Sequence, residues 1–432
     1  MADVAQGPSG WRSVLRALRF RNYRLFFAGQ GISLIGSWMQ MIAVPWLVWD
    51  LTKSAWWLGL VSFWSRVPQA VIMPLAGVMV DRWNRHRVVV ICQVLAMVQA
   101  AALGWLTMAG RITMGEVIWL NVGLGVVSSF EMPARQAFLI EMIEDRADLP
   151  NAIALNSSMF NGARLIGPAI AGLIMAWWGA GWCFMLNAIS YLAVIWALLV
   201  MTLHPAAERD RQPKVLDGLR QGVAYCWRME PIRVLIGLIA LVSLMGTPYM
   251  VLLPKYASEI LHTAQAGYGM LMGATGVGAL GGALYLASRT SVIGLDRLIP
   301  KATVVFSLGL VGLACSHWLA LSVLLMVLTG GAMMVQMASG NTLLQSIIDD
   351  DMRGRVMSLW MLAFAGTAPL GSLLAGTLAD RFGVPYTILV GGLVSLLAGL
   401  VFLARLKQFE ALVLPRLAAK NIRPAEGLSD SD

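Results

Sequence analysis

Apolar residues run along this chain in long blocks, and polar residues are confined to the short stretches between them. A helix that crosses a bilayer needs about 20 mainly apolar residues, because lipid offers no partner to backbone polar groups and a helix pairs them internally. Twelve blocks meet that length, near residues 25–49, 57–80, 88–109, 115–137, 151–176, 182–202, 231–253, 265–288, 300–317, 320–346, 356–379 and 385–404. The links are short except for the polar stretch 203–230, which separates six blocks from six. The pattern predicts an all-α membrane protein of twelve transmembrane helices in two six-helix bundles, 25–202 and 231–404. A basic arm (1–24), a central loop (203–230) and a tail (405–432) complete the chain.

Composition agrees. Of 432 residues, 58% are hydrophobic and 13% charged, about half the charged fraction of a soluble chain, ~25%. The net charge of +9 would suit nucleic acid only if the basic residues clustered on one exposed face. They are distributed otherwise. If the spans alternate from a cytoplasmic arm carrying Arg12, Arg16, Arg19, Arg21 and Arg24, then 26 of the 32 basic residues fall on cytoplasmic segments and helix ends. Lys53, Arg111, Lys255 and Arg381 fall outside, and Arg66 and Arg164 lie within spans. This asymmetry follows the positive-inside rule and predicts that both termini and the central loop are cytoplasmic. The bilayer is then the macromolecular partner, and no nucleic acid is expected. The first apolar run is too long for a cleavable signal peptide. Trp46, Trp49, Trp56 and Trp57 flank the first outer loop and Trp177, Trp178 and Trp182 the third, as interfacial aromatics do. Cys92, Cys183, Cys226 and Cys315 show no paired spacing, and the four histidines lie near the ends of apolar runs, so neither a metal site nor a cofactor is expected.

The two halves resemble each other at an offset of 204 residues. Gly167, Gly172 and Gly179 fall on Gly371, Gly376 and Gly383, Ile143 on Ile347, Leu155 on Leu359, Trp182 on Tyr386 and Gly77 on Gly281. Such an internal repeat suits a transporter whose halves rock about a midplane site.

The segment Gly77-Val-Met-Val-Asp81-Arg82-Trp-Asn-Arg85-His-Arg87 has a small residue for helix packing, a carboxylate at a helix end and a basic turn. It resembles the loop signature of the major facilitator superfamily, with Asn84 where that family often has Gly. The resemblance implies that Asp81, with Arg82 and Arg85, joins a charge network latching the halves on the cytoplasmic side. Phe20-Arg-Asn-Tyr-Arg24, Gly29-Gln30, Ser37-Trp-Met-Gln40 and Pro45-Trp46 are similar to the N-terminus of the enterobactin-exporter-like (transmembrane secretion effector) branch. Glu131-Met-Pro-Ala-Arg135, Leu149-Pro-Asn-Ala152 and Ala163-Arg164-Leu-Ile-Gly167-Pro168 are also typical of that branch. Gly167-Pro168-Ala-Ile-Ala-Gly172 resembles the superfamily's antiporter motif, which favours export. The resemblance implies the major facilitator fold with pseudo-symmetric halves, in a bacterial inner (plasma) membrane.

A charge at mid-span costs about 2.5–3.5 kcal/mol on insertion scales, so each one asks for a partner or a role. Arg66 and Arg164 are deep, with no acid at comparable depth. Either they face a cavity and attract an anionic cargo, or Arg164 bonds to carbonyls near the Pro168 kink and Arg66 snorkels. Glu131 and Arg135, four apart, share a helix face and can pair. Glu131 is a proton site or a gate residue joined to the Asp81 network, and the resemblance favours the gate. Gln30, Ser33, Ser37 and Gln40, then Tyr249, Gln336, Asn341 and Gln345, are candidates to line the path or to bond between helices.

An enzyme finds no support: G-x-S-x-G and H-E-x-x-H are absent, and so is the phosphate loop of an ATP-driven pump. The expectation is a secondary transporter that exports a small molecule, siderophore-like or amphipathic, by alternating access against an inward proton flow. A facilitator importer and a non-transporting scaffold on the same fold are the alternatives.

Overall fold

The structure is a computed structural model describing residues 15–80, 82–143, 145–202, 215–289, 291–349 and 352–420. Among these residues all regular structure is helical. The first half contains α1 (Arg21–Thr52), α2 (Ala55–Val80), α3 (Arg85–Met108), α4 (Met114–Glu141), α5 (Leu149–Trp178) and α6 (Ala180–Leu199). The second contains α7 (Val215–Arg228), α8 (Glu230–Leu241), α9 (Tyr249–Glu259), α10 (Ala264–Ala287), α11 (Leu295–Cys315) and α12 (Leu319–Ile347). It continues with α13 (Arg353–Met361), α14 (Ala368–Phe382), α15 (Val384–Ala404) and α16 (Leu406–Ala419). Helices α8 and α9 form one span, Glu230–Glu259, and α13 and α14 another, Arg353–Phe382. Eleven helices among the described residues are long and apolar enough to cross a membrane. Helix α2, of 26 residues, stands where the second predicted span lies.

The described residues form two compact units: those of Met1–Leu51 with Trp64–Gln212, and those of Thr52–Phe63 with Pro213–Asp432. The division cuts α2, whose first turns pack with the second unit while the remainder belongs to the first.

In the first unit, two of the segments that carry the family resemblance touch. Tyr23 is buried and its hydroxyl donates to the Ala152 carbonyl at 2.8 Å, while the Ala17 amide donates to Asn151 Oδ1 at 2.9 Å. Buried Asp148 pairs with Arg16 and, at 2.7 Å, with Arg19. Arginines of the arm that the sequence marks as a topology signal therefore also fasten α1 to the start of α5. Helix α4 opens with a capping box: Thr113 Oγ1 accepts from the Glu116 amide and Glu116 accepts from the Thr113 amide, satisfying N–H groups with no intrahelical partner.

The glycine repeat has structural equivalents in both units. A Cβ at Gly167 would lie 2.5 Å from Trp38 Cβ and 3.1 Å from the Ile35 carbonyl, so α5 crosses α1 there at backbone contact. A Cβ at Gly371 would lie 2.2 Å from the Leu244 carbonyl, where α14 crosses the α8–α9 span. Gly179 and Gly383 join α5 to α6 and α14 to α15 with φ of +84° and +89°, a conformation glycine reaches without steric cost. Gly77 and Gly281 differ from the packing role expected of Gly77: among the described residues, a Cβ at either meets no atom of a neighbour within 4 Å.

Two further features depart from the sequence pattern. The polar link contains α7, whose Tyr225 hydroxyl donates to Asp349 Oδ2 at 2.7 Å. Burial and the Asp349 carboxylate push the Tyr225 phenol up, so it stays protonated and donates. Burial likewise pushes the neighbouring Cys226 thiol up to about 11. Trp46 and Trp49 are buried, whereas Trp177 and Trp178 are 71% and 61% exposed. Position near a helix end therefore marks an interfacial tryptophan only where the helix face is also free.

Candidate functional site

The charged turn after α2 is built on α3. Asp81 lies outside the described residues. Asn84 caps α3, its Oδ1 accepting from the Arg87 amide at 3.0 Å, which gives a reason for Asn at a position where the resembling family often has Gly. Arg85 Nη1 donates to Glu141 Oε1 at 2.7 Å and ties the start of α3 to the end of α4. The His86 ring lies 2.8 Å from the Leu198 carbonyl of α6, and Arg82 is exposed.

Glu131 sits elsewhere. It is ten residues from the last residue of α4, about 15 Å at the helical rise of ~1.5 Å. Its Oε1 is 2.8 Å from Arg135 Nε and accepts from Gln93 Nε2 at 3.3 Å. The Arg135 Nε–H is not directed at that oxygen, so the pair is held by charge without an aligned hydrogen bond. Pro133 lies between the two residues and removes one backbone bond from the helix. Glu131 is close enough to Tyr191 and Cys92 for its charge to act on both.

Around it the first unit is polar inside. Gln40 donates to Gln99 Oε1 at 2.9 Å and accepts from Asn187 Nδ2 at 2.8 Å, and Ser190 donates to Asn187 Oδ1 at 3.2 Å. Ser37 donates to the Ser33 carbonyl at 3.0 Å, and its oxygen lies 3.3 Å from the Tyr191 hydroxyl. Gln30 Oε1, Ser33 Oγ, Gln93 Oε1 and Gln99 Nε2 are buried and meet no hydrogen-bond partner among the described residues. Gln93, Gln99, Asn187 and Tyr191 escape the sequence reading, because a single polar residue in an apolar run carries no sign of which way it faces.

Arg66 stands eleven residues into α2 and is accessible. Arg164 stands fifteen residues into α5, about 22 Å along it. Its guanidinium lies over the Trp38 ring, 5.9 Å from the centroid, and Trp38 meets Phe160 edge-on at 5.5 Å. A guanidinium on an aromatic face is attracted by the ring's negative face. Gly167, Pro168 and Gly172 are buried, and α5 runs unbroken through Pro168.

In the second unit, Val242–Gly246 and Leu362–Gly366 are each a π-helical turn, a rare form concentrated at functional sites. The turns are joined: Ser243 Oγ donates to the Phe364 carbonyl at 2.5 Å and Thr367 Oγ1 to the Ala240 carbonyl at 3.3 Å. Tyr249 is buried beside them and lines a small apolar pocket with Met245, Leu252, Leu374 and Ile388. Gln336 is buried, and Asn341 accepts from Gln345 at 3.1 Å.

Residues 12–425 match the family described as transmembrane secretion effectors, within the major facilitator superfamily. The chain belongs to that family. It is a multi-pass membrane transporter and not an enzyme. The staphyloferrin A transporter of Staphylococcus aureus is 27% identical over 387 residues, covering 88% of this chain and 95% of that one. The multidrug efflux pump Tap of Mycolicibacterium fortuitum is 30% identical over 391 residues, with 87% and 94% covered. Macrolide efflux protein A of Streptococcus pyogenes is 24% identical over 407 residues, with 87% and 94% covered. Among solved structures, the nucleoside transporter NupG superposes with a TM-score of 0.69 at 14% identity over 90% of this chain and 99% of that one. A bacterial homologue of the lysosomal transporter Spinster, inward-facing and occupied, gives 0.68 at 14% over 94% and 99%. These two likenesses establish the major facilitator fold.

Proposed function

We propose that this transporter exports a small molecule by alternating access, driven by protons moving inward, with Glu131 as the proton acceptor. The observation that carries the reading is the Glu131–Arg135–Gln93 group: a carboxylate about 15 Å from its helix end, held by one cation and one amide. Protonation of Glu131 removes the counter-charge of Arg135, and proton release restores it. The charge state of one helix thereby differs between the two halves of a cycle, as proton antiport requires. Arg85 with Glu141, together with Asp81 and Arg82, serves as the cytoplasmic gate. Both termini lie in the cytoplasm of a bacterial cell, on the 26-to-4 distribution of basic residues.

Export is supported by the Gly167-Pro168-Gly172 segment and by the efflux relatives. Arg164 on Trp38, with Arg66, favours an amphipathic cargo bearing negative charge, siderophore-like or drug-like. Of the uncharged candidates, Gln30 and Ser33 have the unsatisfied buried atoms that a cargo or water would satisfy, Ser37 orients Tyr191, and Tyr249, Gln336 and Asn341 are the second-unit candidates.

The experiment is transport in proteoliposomes with an imposed pH gradient, using fluorescein as an anionic probe and ethidium as a cationic one. The expected result is gradient-driven movement of probe by the unaltered protein, and in Glu131→Gln only downhill exchange that ignores the gradient. A Glu131→Gln protein that still follows the gradient overturns the proton role.

A further inference from the structure

Asp380, in the last turn of α14, gathers the first turn of α2. Its Oδ1 accepts from the Ala55 amide at 2.7 Å and lies 3.2 Å from Lys255 Nζ. Its Oδ2 accepts from the Ser54 hydroxyl at 2.5 Å and the Trp56 amide at 3.0 Å. A helix N-terminus presents amides with no intrahelical acceptor and carries partial positive charge. Ser54, at the position where a side chain ordinarily caps its own helix, instead donates to the carboxylate of another. Below this cap, α2 and α14 approach at backbone contact: a Cβ at Gly59 would lie 2.5 Å from the Ser372 carbonyl and one at Gly376 2.5 Å from the Ala55 carbonyl. Ser62 Oγ then donates to Ser372 Oγ at 3.1 Å.

All of these contacts lie within the second unit, yet the helix they hold continues from Trp64 as part of the first. One carboxylate therefore fixes to one unit the beginning of a helix that belongs mostly to the other. The spacing Gly376-x-x-x-Asp380-Arg381 also repeats Gly77-x-x-x-Asp81-Arg82, at the opposite end of a span if the spans alternate. The Asp380 side chain is 29% exposed, so water can replace its partners when they part.

We propose that Asp380 is a releasable outer latch. In the state described here it holds the outer end of α2 against α14 and α9, and its release frees α2 to move with the first unit and opens the path outward. Transport and the outward direction rest on the function proposed above; the latch itself does not. The test uses the full chain in cells, with the four native cysteines replaced by alanine and Ser62→Cys as reporter, treated with a membrane-impermeant maleimide. Labelling from outside is expected to be at least roughly tenfold faster in Asp380→Ala than with Asp380 intact, as loss of one charge-assisted hydrogen bond predicts. Rates within about twofold of each other, near the scale of an exposed ion pair of little value, overturn the latch. If Ser62→Cys is labelled only from the cytoplasmic side, the topology is what fails, and the ratio measured in inverted vesicles still decides the latch. A second variant avoids reliance on Asp380→Ala folding. The pair Ser62→Cys with Ser372→Cys, oxidised to a disulfide, should block probe transport and recover on reduction. Undiminished transport with the disulfide formed also overturns the proposal.

Discussion

Glu141 accepts from Arg85 at 2.7 Å, while Glu131, ten residues earlier on the same helix, pairs with Arg135 at 2.8 Å. These two acids of α4 therefore occupy different environments. Glu141 closes a turn between helices near the end of the membrane span, and Glu131 sits among amides and a tyrosine further in. A carboxylate exchanging protons with both sides of a membrane needs the second setting, and a gate that opens against water suits the first.

Arg85→Gln and Glu141→Gln are each expected to weaken the α3–α4 joint, with the double variant no worse than either. The coupling energy should be roughly 1 kcal/mol, between that of an exposed pair and a desolvated one. Thermal unfolding of the purified protein in detergent measures it. The reversed pair Arg85→Glu with Glu141→Arg should recover part of the loss, and strict additivity of the single effects would contradict the contact.

Arg164→Gln should reduce transport of fluorescein relative to ethidium by roughly tenfold, the scale of one charge-assisted contact. Trp38→Ala removes the ring under the guanidinium and is expected to shift the preference in the same direction by a smaller factor, since an exposed cation–π contact is worth about 0.5–1 kcal/mol. Competition between the two probes in the same vesicles reads the ratio. An unchanged ratio in membrane-inserted Arg164→Gln excludes a cargo role for that side chain.

Gly167→Ala and Gly371→Ala force a methyl group into backbone already in contact, and each should cost about 1–3 kcal/mol of stability. Gly77→Ala and Gly281→Ala meet open space and should be neutral or stabilising by up to about 1 kcal/mol, because alanine is the better helix former. Melting temperatures of the four variants in one detergent distinguish the pairs. Equal losses at all four positions would contradict the two helix crossings.

Much of the fold is legible in the sequence, since each span must satisfy its own backbone in lipid and advertises itself as an unbroken apolar block. The predicted block 320–346 corresponds to α12, Leu319–Ile347. The repeat of Gly167 and Gly179 at Gly371 and Gly383 is equally visible, because close backbone approach and positive φ leave glycine as the residue that fits. Amphipathic α7 and the two π turns are not visible, since a polar stretch can be coil or helix and a π turn adds a residue without changing hydropathy.

By itself the sequence determined the spans, the charge asymmetry, the family signatures and the exclusion of enzymatic motifs, all of which depend on residue type and order along the chain. Only the tertiary structure decided the partners: Glu141 for Arg85, Gln93 and Arg135 for Glu131, Trp38 for Arg164, and the start of α2 for Asp380. In a membrane helix a polar side chain's role is set by the face it presents to a neighbouring helix. Low hydrophobic contrast around the helices leaves that face unmarked until the helices are packed.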